Sequence, residues 1–239
     1  KNNNRQLAEL MVGRKIAKVN RRSTPDQDKA VCVIKNLQKP KPTRFAVTQK
    51  DISFTANAGE ILAIAGIAGN GQGELMAALS GEWRPASAGV ITVDGQDVSH
   101  LGPAARRRFG VGIVPEERNG HAAIPSMSLS NNALLTNHSL GKTVQHGVID
   151  STATKVIAAE VINRFDVRVP SDDPIAASLS GGNLQKFVVG REIIKSPRLL
   201  VVAQPTWGVD VGAAVSIRKS MLELAARGSA VIMISQDLE

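Results

Sequence analysis

A strand, a glycine loop and a helix follow one another without interruption near residue 66. The apolar run Ile61 to Ala65 enters Gly66-Ile67-Ala68-Gly69-Asn70-Gly71-Gln72-Gly73-Glu74-Leu75, and Glu74 to Leu79 then keeps helical spacing. That order restricts the chain to an α/β fold with its loop at the end of a strand. The glycine spacing suits a loop whose backbone amides curl around phosphates, with a lysine reaching the β/γ oxygens and a Ser or Thr hydroxyl on Mg²⁺. Gln72 and Gly73 stand at those two positions. The cradle is kept and both reactive side chains are gone. Downstream, Leu179-Ser180-Gly181-Gly182-Asn183-Leu184-Gln185-Lys186 is an undamaged second motif. There a hydroxyl, backbone amides and a helix start are all available to an anion.

The remaining pattern supplies the rest of such a fold. Strands are expected over 31–37, 52–56, 89–93 and 111–114, with Lys39-Pro40-Lys41-Pro42 as a break because proline cannot donate a ladder hydrogen bond. Helical material is expected over 128–140, 151–165, 181–195 and 211–226, and 170–178 as a loop. Leu199 to Val202 and Ala230 to Ile234 are continuous apolar runs, the pattern of strands buried on both faces of a parallel sheet. Residues 5–12 have helical spacing and stop at Gly13, with basic residues following. The expected organisation is an interdomain helix and basic linker over 1–30, and one nucleotide-binding domain over 31–239. The chain starts at Lys1 and ends at Glu239 directly after an apolar strand, so a missing C-terminal segment is expected.

Composition narrows the function. The net charge of +8 raises nucleic acid as a partner, yet the first 30 residues hold eight Lys and Arg against three acids, so the excess belongs mostly to the linker. The single cysteine, Cys32, lies in an alternating strand and is expected to be a buried thiol. No stretch is apolar for long enough to cross a membrane. His100, His121, His138 and His146 have no metal-ligand spacing.

The loop, the Leu-Ser-Gly-Gly motif, the strand leading to Gln204-Pro205-Thr206-Trp207-Gly208-Val209-Asp210 and the strand ending in Ser235-Gln236-Asp237 resemble, in order and spacing, an ABC transporter nucleotide-binding domain. The wording is most similar to the second, degenerate domain of fused sugar and nucleoside importer ATPases. That resemblance implies an ABC-type P-loop NTPase fold: a mostly parallel core sheet, an antiparallel β subdomain and a helical subdomain. It places nucleotide binding at Gly66, Gly69, Gly71, Gln72, Gly73 and Glu74, the signature at Ser180, Gly181, Gly182 and Gln185, and the D-loop at Asp210. Ala203 falls at the Mg²⁺-holding aspartate, Gln204 at the water-polarising glutamate, Glu116 at the Q-loop glutamine and Gln236 at the switch histidine. ATP is thus expected to bind weakly at the chain's own loop, with Mg²⁺ engaged only at a partner site. In this family the signature closes over the γ-phosphate of a partner domain. The implied partners are a first nucleotide-binding domain of the same polypeptide or a dimer mate, transmembrane permease subunits and, indirectly, a substrate-binding protein. The location would be peripheral, at the cytoplasmic face of the inner membrane, with residues 116–140 meeting the permease.

The chemistry of the residues agrees with that degeneracy. Phosphoryl transfer depends on positioning and on cations that neutralise charge. Losing the lysine removes a charged hydrogen bond of about 1.5–3 kcal/mol, roughly tenfold to a hundredfold in affinity. Glu116 adds negative charge beside any phosphate, while Glu74, in the first helical turn, reads as an exposed helix glutamate, the alternative being that its carboxylate satisfies loop amides as a phosphate would. Two rival functions remain: a soluble ABC protein acting on nucleic acid or ribosomes, and an autonomous ATPase. The substitutions at positions 72, 73, 203, 204 and 236 oppose the second.

Overall fold

A computed structural model describes residues 29–40, 48–141 and 143–236. The helix expected over 5–12, the basic linker, Pro42 and Asp237 lie outside the described residues. In chain order the elements begin with β1 (Ala30–Lys39), β2 (Gln49–Asn57), β3 (Ile61–Ala65) and helix α1 (Gln72–Ser80). Next come β4 (Ile91–Val93), β5 (Gln96–Asp97), α2 (Pro103–Arg108), β6 (Val111–Val114) and α3 (Leu129–Asn137). The hairpin β7 (Val144–Gln145) and β8 (Val148–Ile149), α4 (Ser151–Arg164), α5 (Gly181–Ile193), β9 (Leu199–Ala203), α6 (Val211–Ala226) and β10 (Ala230–Ser235) complete the set.

Two sheets carry the architecture. One is parallel in the order β3-β10-β9-β6, the other antiparallel in the order β2-β1-β4-β5. Every residue of β9 is buried, as its apolar run requires of an interior parallel strand. Its side chains alternate between two cores. Leu199, Val201 and Ala203 pack with α1 and the antiparallel sheet, while Leu200 and Val202 pack with α3 to α6. Strand β10 repeats the alternation, with Ile232 and Ile234 on the first side and Val231 on the second. Cys32 is buried in the first core, and burial pushes its thiol pKa up to about 12 against a smaller opposing pull from Arg106.

Several boundaries differ from expectation. The helix expected to reach Lys195 ends at Ile193, and Ser196 turns into the left-handed region with φ 50°. The segment 128–140 divides into α3 and a single 3₁₀ turn, His138–Leu140, closed by Gly141 at φ 74°. Helix α2, the short strand β5, the hairpin β7–β8 and a 3₁₀ turn, Ala176–Ser178, inside the segment expected to be a loop are additional to the elements expected from sequence. α2 carries Pro at its start and three arginines in its last turn, with no apolar stripe to announce it. The hairpin has strands of two residues each, joined through His146 and Gly147 at φ 51° and 80°.

Candidate functional site

Parallel strands β3 and β9 end on the same edge of the sheet, which puts the loop after β3 beside the segment after β9. The glycine loop reaches α1 through Gly69 and Gly71, at φ 86° and 97°. L side chains rarely adopt those angles. Gly71 is the helix N-cap and contributes no side-chain hydrogen bond. Glu74 lies in the first turn of α1, where no side chain caps the helix, so the alternative in which its carboxylate satisfies the loop amides gains no hydrogen bond in its favour. Gln72 takes the part instead. Its Oε1 accepts from the Asn70 amide at 3.1 Å, and its Nε2 donates to the Ile67 carbonyl at 2.9 Å. The amide folds so tightly against the loop that a Cβ at Gly66 would meet Gln72 Nε2 at 2.5 Å. From the other side, buried Gln49 donates through Nε2 to the Gly71 carbonyl at 2.7 Å. The loop's shape is thus held by two glutamine side chains.

Beyond the loop lies a cavity of about 460 Å³ whose walls include Gln72, Gly73, Glu116, Arg118, Ala203 and Trp207. It brings together the positions assigned to lysine, hydroxyl, Q-loop and metal-binding aspartate. Glycine and alanine at the two Mg²⁺ positions provide no side-chain oxygen. Among the described residues no cluster of three or more His, Cys, Asp or Glu is placed to hold a metal. This donor set does not fit Mg²⁺ held by the chain's own side chains. Gln204, 6% exposed and at φ 46°, receives the Gln236 amide on Oε1 at 3.3 Å and the Ser235 hydroxyl at 3.5 Å. The two glutamines that the resemblance puts at catalytic positions therefore meet through the Gln236 backbone amide, with Gln204 tying down the end of β10.

The second motif opens α5. Ser180 is its N-cap and is exposed, with Oγ accepting from Asn183 Nδ2 at 3.0 Å and from the Asn183 amide at 3.4 Å. Asp210 caps α6 by accepting the Ala213 amide at 2.9 Å, and its Oδ2 lies 3.4 Å from where a Cβ at Gly182 would be. Signature and D-loop positions are therefore adjacent. Gln185 departs from the expectation that it faces a partner. It is 2% exposed and donates to the Pro205 carbonyl at 3.1 Å, so it ties α5 to the loop after β9. Helical phase explains this, because Gln185 shares a face of α5 with buried Val188 and Val189, three and four positions on.

One residue of the site went unassigned in the sequence reading. Arg118 donates through Nη2 to the Trp207 carbonyl at 2.6 Å, and its Nη1 would lie 2.8 Å from a Cβ at Gly181. It links the Q-loop segment, the D-loop segment and the signature start. Only its place two residues after Glu116 hinted at this, since its contacts are long-range. Trp207 is 51% exposed and so belongs to the surface rather than to the core. His121 pairs with Glu82, Nε2 to Oε1 at 2.8 Å. No helix among the described residues is long and apolar enough to cross a membrane.

A family model described as ABC transporter matches residues 49–207. Curated relatives include the guanosine import ATP-binding protein NupO of Bacillus subtilis, 36% identical over 99% of this chain and 46% of the relative. Another is the glucose import ATP-binding protein TsgD13 of Haloferax volcanii, 37% identical over 98% of this chain and 42% of the relative. The chain thus spans about half the length of the curated relatives it matches. Among solved structures, a dimeric ATP-binding cassette in a post-hydrolysis state with ADP and Pi superposes at a TM-score of 0.73, with 20% identity over 87% of this chain and 88% of that one. A nucleotide-free cassette of an ABC transporter superposes at 0.69, with 21% identity over 87% and 82%. With the glycine loop, the signature helix and the two sheets in this arrangement, the chain belongs to the ABC transporter family and has the fold of its ATP-binding cassette.

Proposed function

We propose that this chain is the second, degenerate cassette of a fused importer ATPase for a sugar or nucleoside, and that it serves chiefly by lending its signature to the ATP site of a partner cassette. The observation that carries the reading is an asymmetry between the two motifs. The phosphate cradle is closed by Gln72 and faces two positions without metal ligands, while Ser180 and Gly181 are exposed at the start of a helix. The names of the relatives, importers of guanosine, glucose, xylose and ribose, support the substrate class. Across the interface, the Ser180 hydroxyl, the amides at Gly181 and Gly182 and the positive end of α5 would bind the γ-phosphate of the partner's ATP. ATP and its Mg²⁺ would be held by the partner's own loop, and Asp210 would keep the signature and D-loop segments in register. Permease subunits would be met through residues 116–140, and a substrate-binding protein only through the permease, at the cytoplasmic face of the membrane.

The test compares two sets of variants in the complete polypeptide with its permease. Ser180→Ala and Gly182→Asp should each lower ATP hydrolysis at least tenfold, while Gln204→Ala changes it less than twofold. The reverse ranking would show that this chain hydrolyses its own nucleotide and would overturn the reading. The charge of +8 keeps nucleic-acid binding as the rival. Salt-sensitive affinity for RNA in a version lacking residues 1–30 would favour it.

A further inference from the structure

A serine hydroxyl has one proton to donate and two lone pairs with which to accept. On Ser180 both lone pairs are taken by a single residue, Asn183, through its side-chain Nδ2 at 3.0 Å and its backbone N–H at 3.4 Å. The side-chain bond is the shorter and carries more of the orientation. Among the described residues the Ser180 hydroxyl donates to no acceptor, so its proton is left for the third direction, away from Asn183. Ser180 is exposed, and that proton is free for an acceptor outside the chain.

Asn183 cannot turn its amide the other way. Its Oδ1 accepts the Arg168 backbone N–H at 3.0 Å, 15 positions upstream. A backbone N–H only donates, so the amide oxygen must face Arg168 and the amide nitrogen must face Ser180. The turn that supplies this N–H follows α4, with Asp166 in the left-handed region at φ 50°. That turn is itself held against α5. Lys186, three positions after Asn183 and on the same face of the helix, donates to the Asp166 carbonyl at 2.7 Å and lies 3.7 Å from its carboxylate. Phe165, 3% exposed, occupies the place of a side chain at Gly190, where a Cβ would meet its ring at 2.6 Å. Helix α5 thus grips the turn at Lys186 and Gly190 and reads it at Asn183.

We propose that Asn183, fixed in orientation by the Arg168 N–H, is the positioning residue that aims the Ser180 proton at the γ-phosphate of the partner's ATP, a role that rests on the signature function proposed above. A hydroxyl free to rotate would spend part of its time presenting a lone pair to the phosphate, oxygen against oxygen. With the proton already aimed, the donor needs no reorganisation when the charge arrives. The end of α4 thereby acts on the signature from a distance: a shift of residues 166–168 would free Asn183 and disarm Ser180 without any change at the nucleotide.

The experiment measures ATP hydrolysis by the complete polypeptide with its permease, with the Tm of each variant recorded alongside. Asn183→Ala should lower kcat about fivefold, the worth of one oriented hydrogen bond, and change the KM for ATP less than about twofold, because the partner's own loop holds the nucleotide. Asn183→Asp keeps the size and the bond from Arg168, but its carboxylate takes the Ser180 proton, so its loss in kcat should exceed that of alanine. An acidic residue in the first turn also suits the helix dipole, so Tm should hold. In a Ser180→Ala background, Asn183→Ala should add less than about twofold, whereas a merely structural defect would add its whole effect. If Ser180→Ala lowers hydrolysis but Asn183→Asp does not, or if Asn183→Ala keeps its full effect without the hydroxyl, the positioning role is overturned and the signature reading stands. If Ser180→Ala has no effect, the signature reading falls and the positioning role falls with it.

Discussion

Replacing Gln72 with alanine tests whether this side chain imitates the missing lysine or blocks the cradle, because the two roles predict opposite signs. As a lysine substitute, Gln72 would lend an N–H to a phosphate oxygen, and its loss would weaken ATP binding. As a block, its amide must first leave the Asn70 amide and the Ile67 carbonyl, bonds of 3.1 and 2.9 Å. Each is worth about 0.5–1.5 kcal/mol net. Gln72 is partly exposed, so the lower end applies and opening costs about 1 kcal/mol. Removing that cost should tighten ATP about fivefold. Part of the gain is lost because the freed loop regains backbone entropy at Gly69, Asn70 and Gly71. The net expectation is a two- to fivefold tighter Kd by calorimetry without Mg²⁺, together with a small fall in Tm. Gln72→Lys should add roughly tenfold more, since lysine brings back the charged bond. A weaker Kd for Gln72→Ala would refute the blocking role and restore Gln72 as a phosphate ligand.

Glu192 is fully buried between Arg191 and Lys195, so Glu192→Gln leaves two cations without a counter-charge and should cost about 3–5 kcal/mol in urea denaturation; a loss under 1 kcal/mol would contradict the pairing. Burial alone would raise the Glu192 pKa, but Lys195, Arg191 and Arg107 outweigh it and hold the pKa at about 2, below the ordinary 4.5. The unfolded state then binds the proton first, so the stabilisation is complete above pH 4.5 and is lost as pH falls towards 2, a contribution of about 3 kcal/mol that Glu192→Gln should lack. At Gly190 an added Cβ would meet Phe165 Cδ2 at 2.6 Å, so Gly190→Ala should lose about 1–3 kcal/mol to overpacking despite its better helix propensity, and an unchanged Tm would show that the ring can move away.

What the sequence disclosed and what it withheld divide along contact range. The cores of β9 and β10 were legible because a parallel strand buried on both faces leaves a continuous apolar run, and the helix expected over 211–226 is α6 to the residue. α2 was not, because Ala104 to Arg108 has no apolar period and is shaped by Arg106 reaching carbonyls of α1. At the site, the spacing identified Gln72 and Gly73 as departures, but it could not show that the Gln72 amide turns back on its own loop. Arg118 depends on the Trp207 carbonyl, 89 positions away, and Gln185 on the Pro205 carbonyl, 20 positions away. Local pattern has no access to pairs of that kind.

The chain's one cysteine, sealed inside the first core with its thiol pKa near 12, has a practical consequence. Cross-linkers and maleimide dyes react with thiolates, so at neutral pH they should ignore Cys32. A cysteine introduced at exposed Ser178 would then be the sole reactive handle in the natural background. A probe there would report on the surroundings of the Leu-Ser-Gly-Gly motif without first deleting a buried side chain.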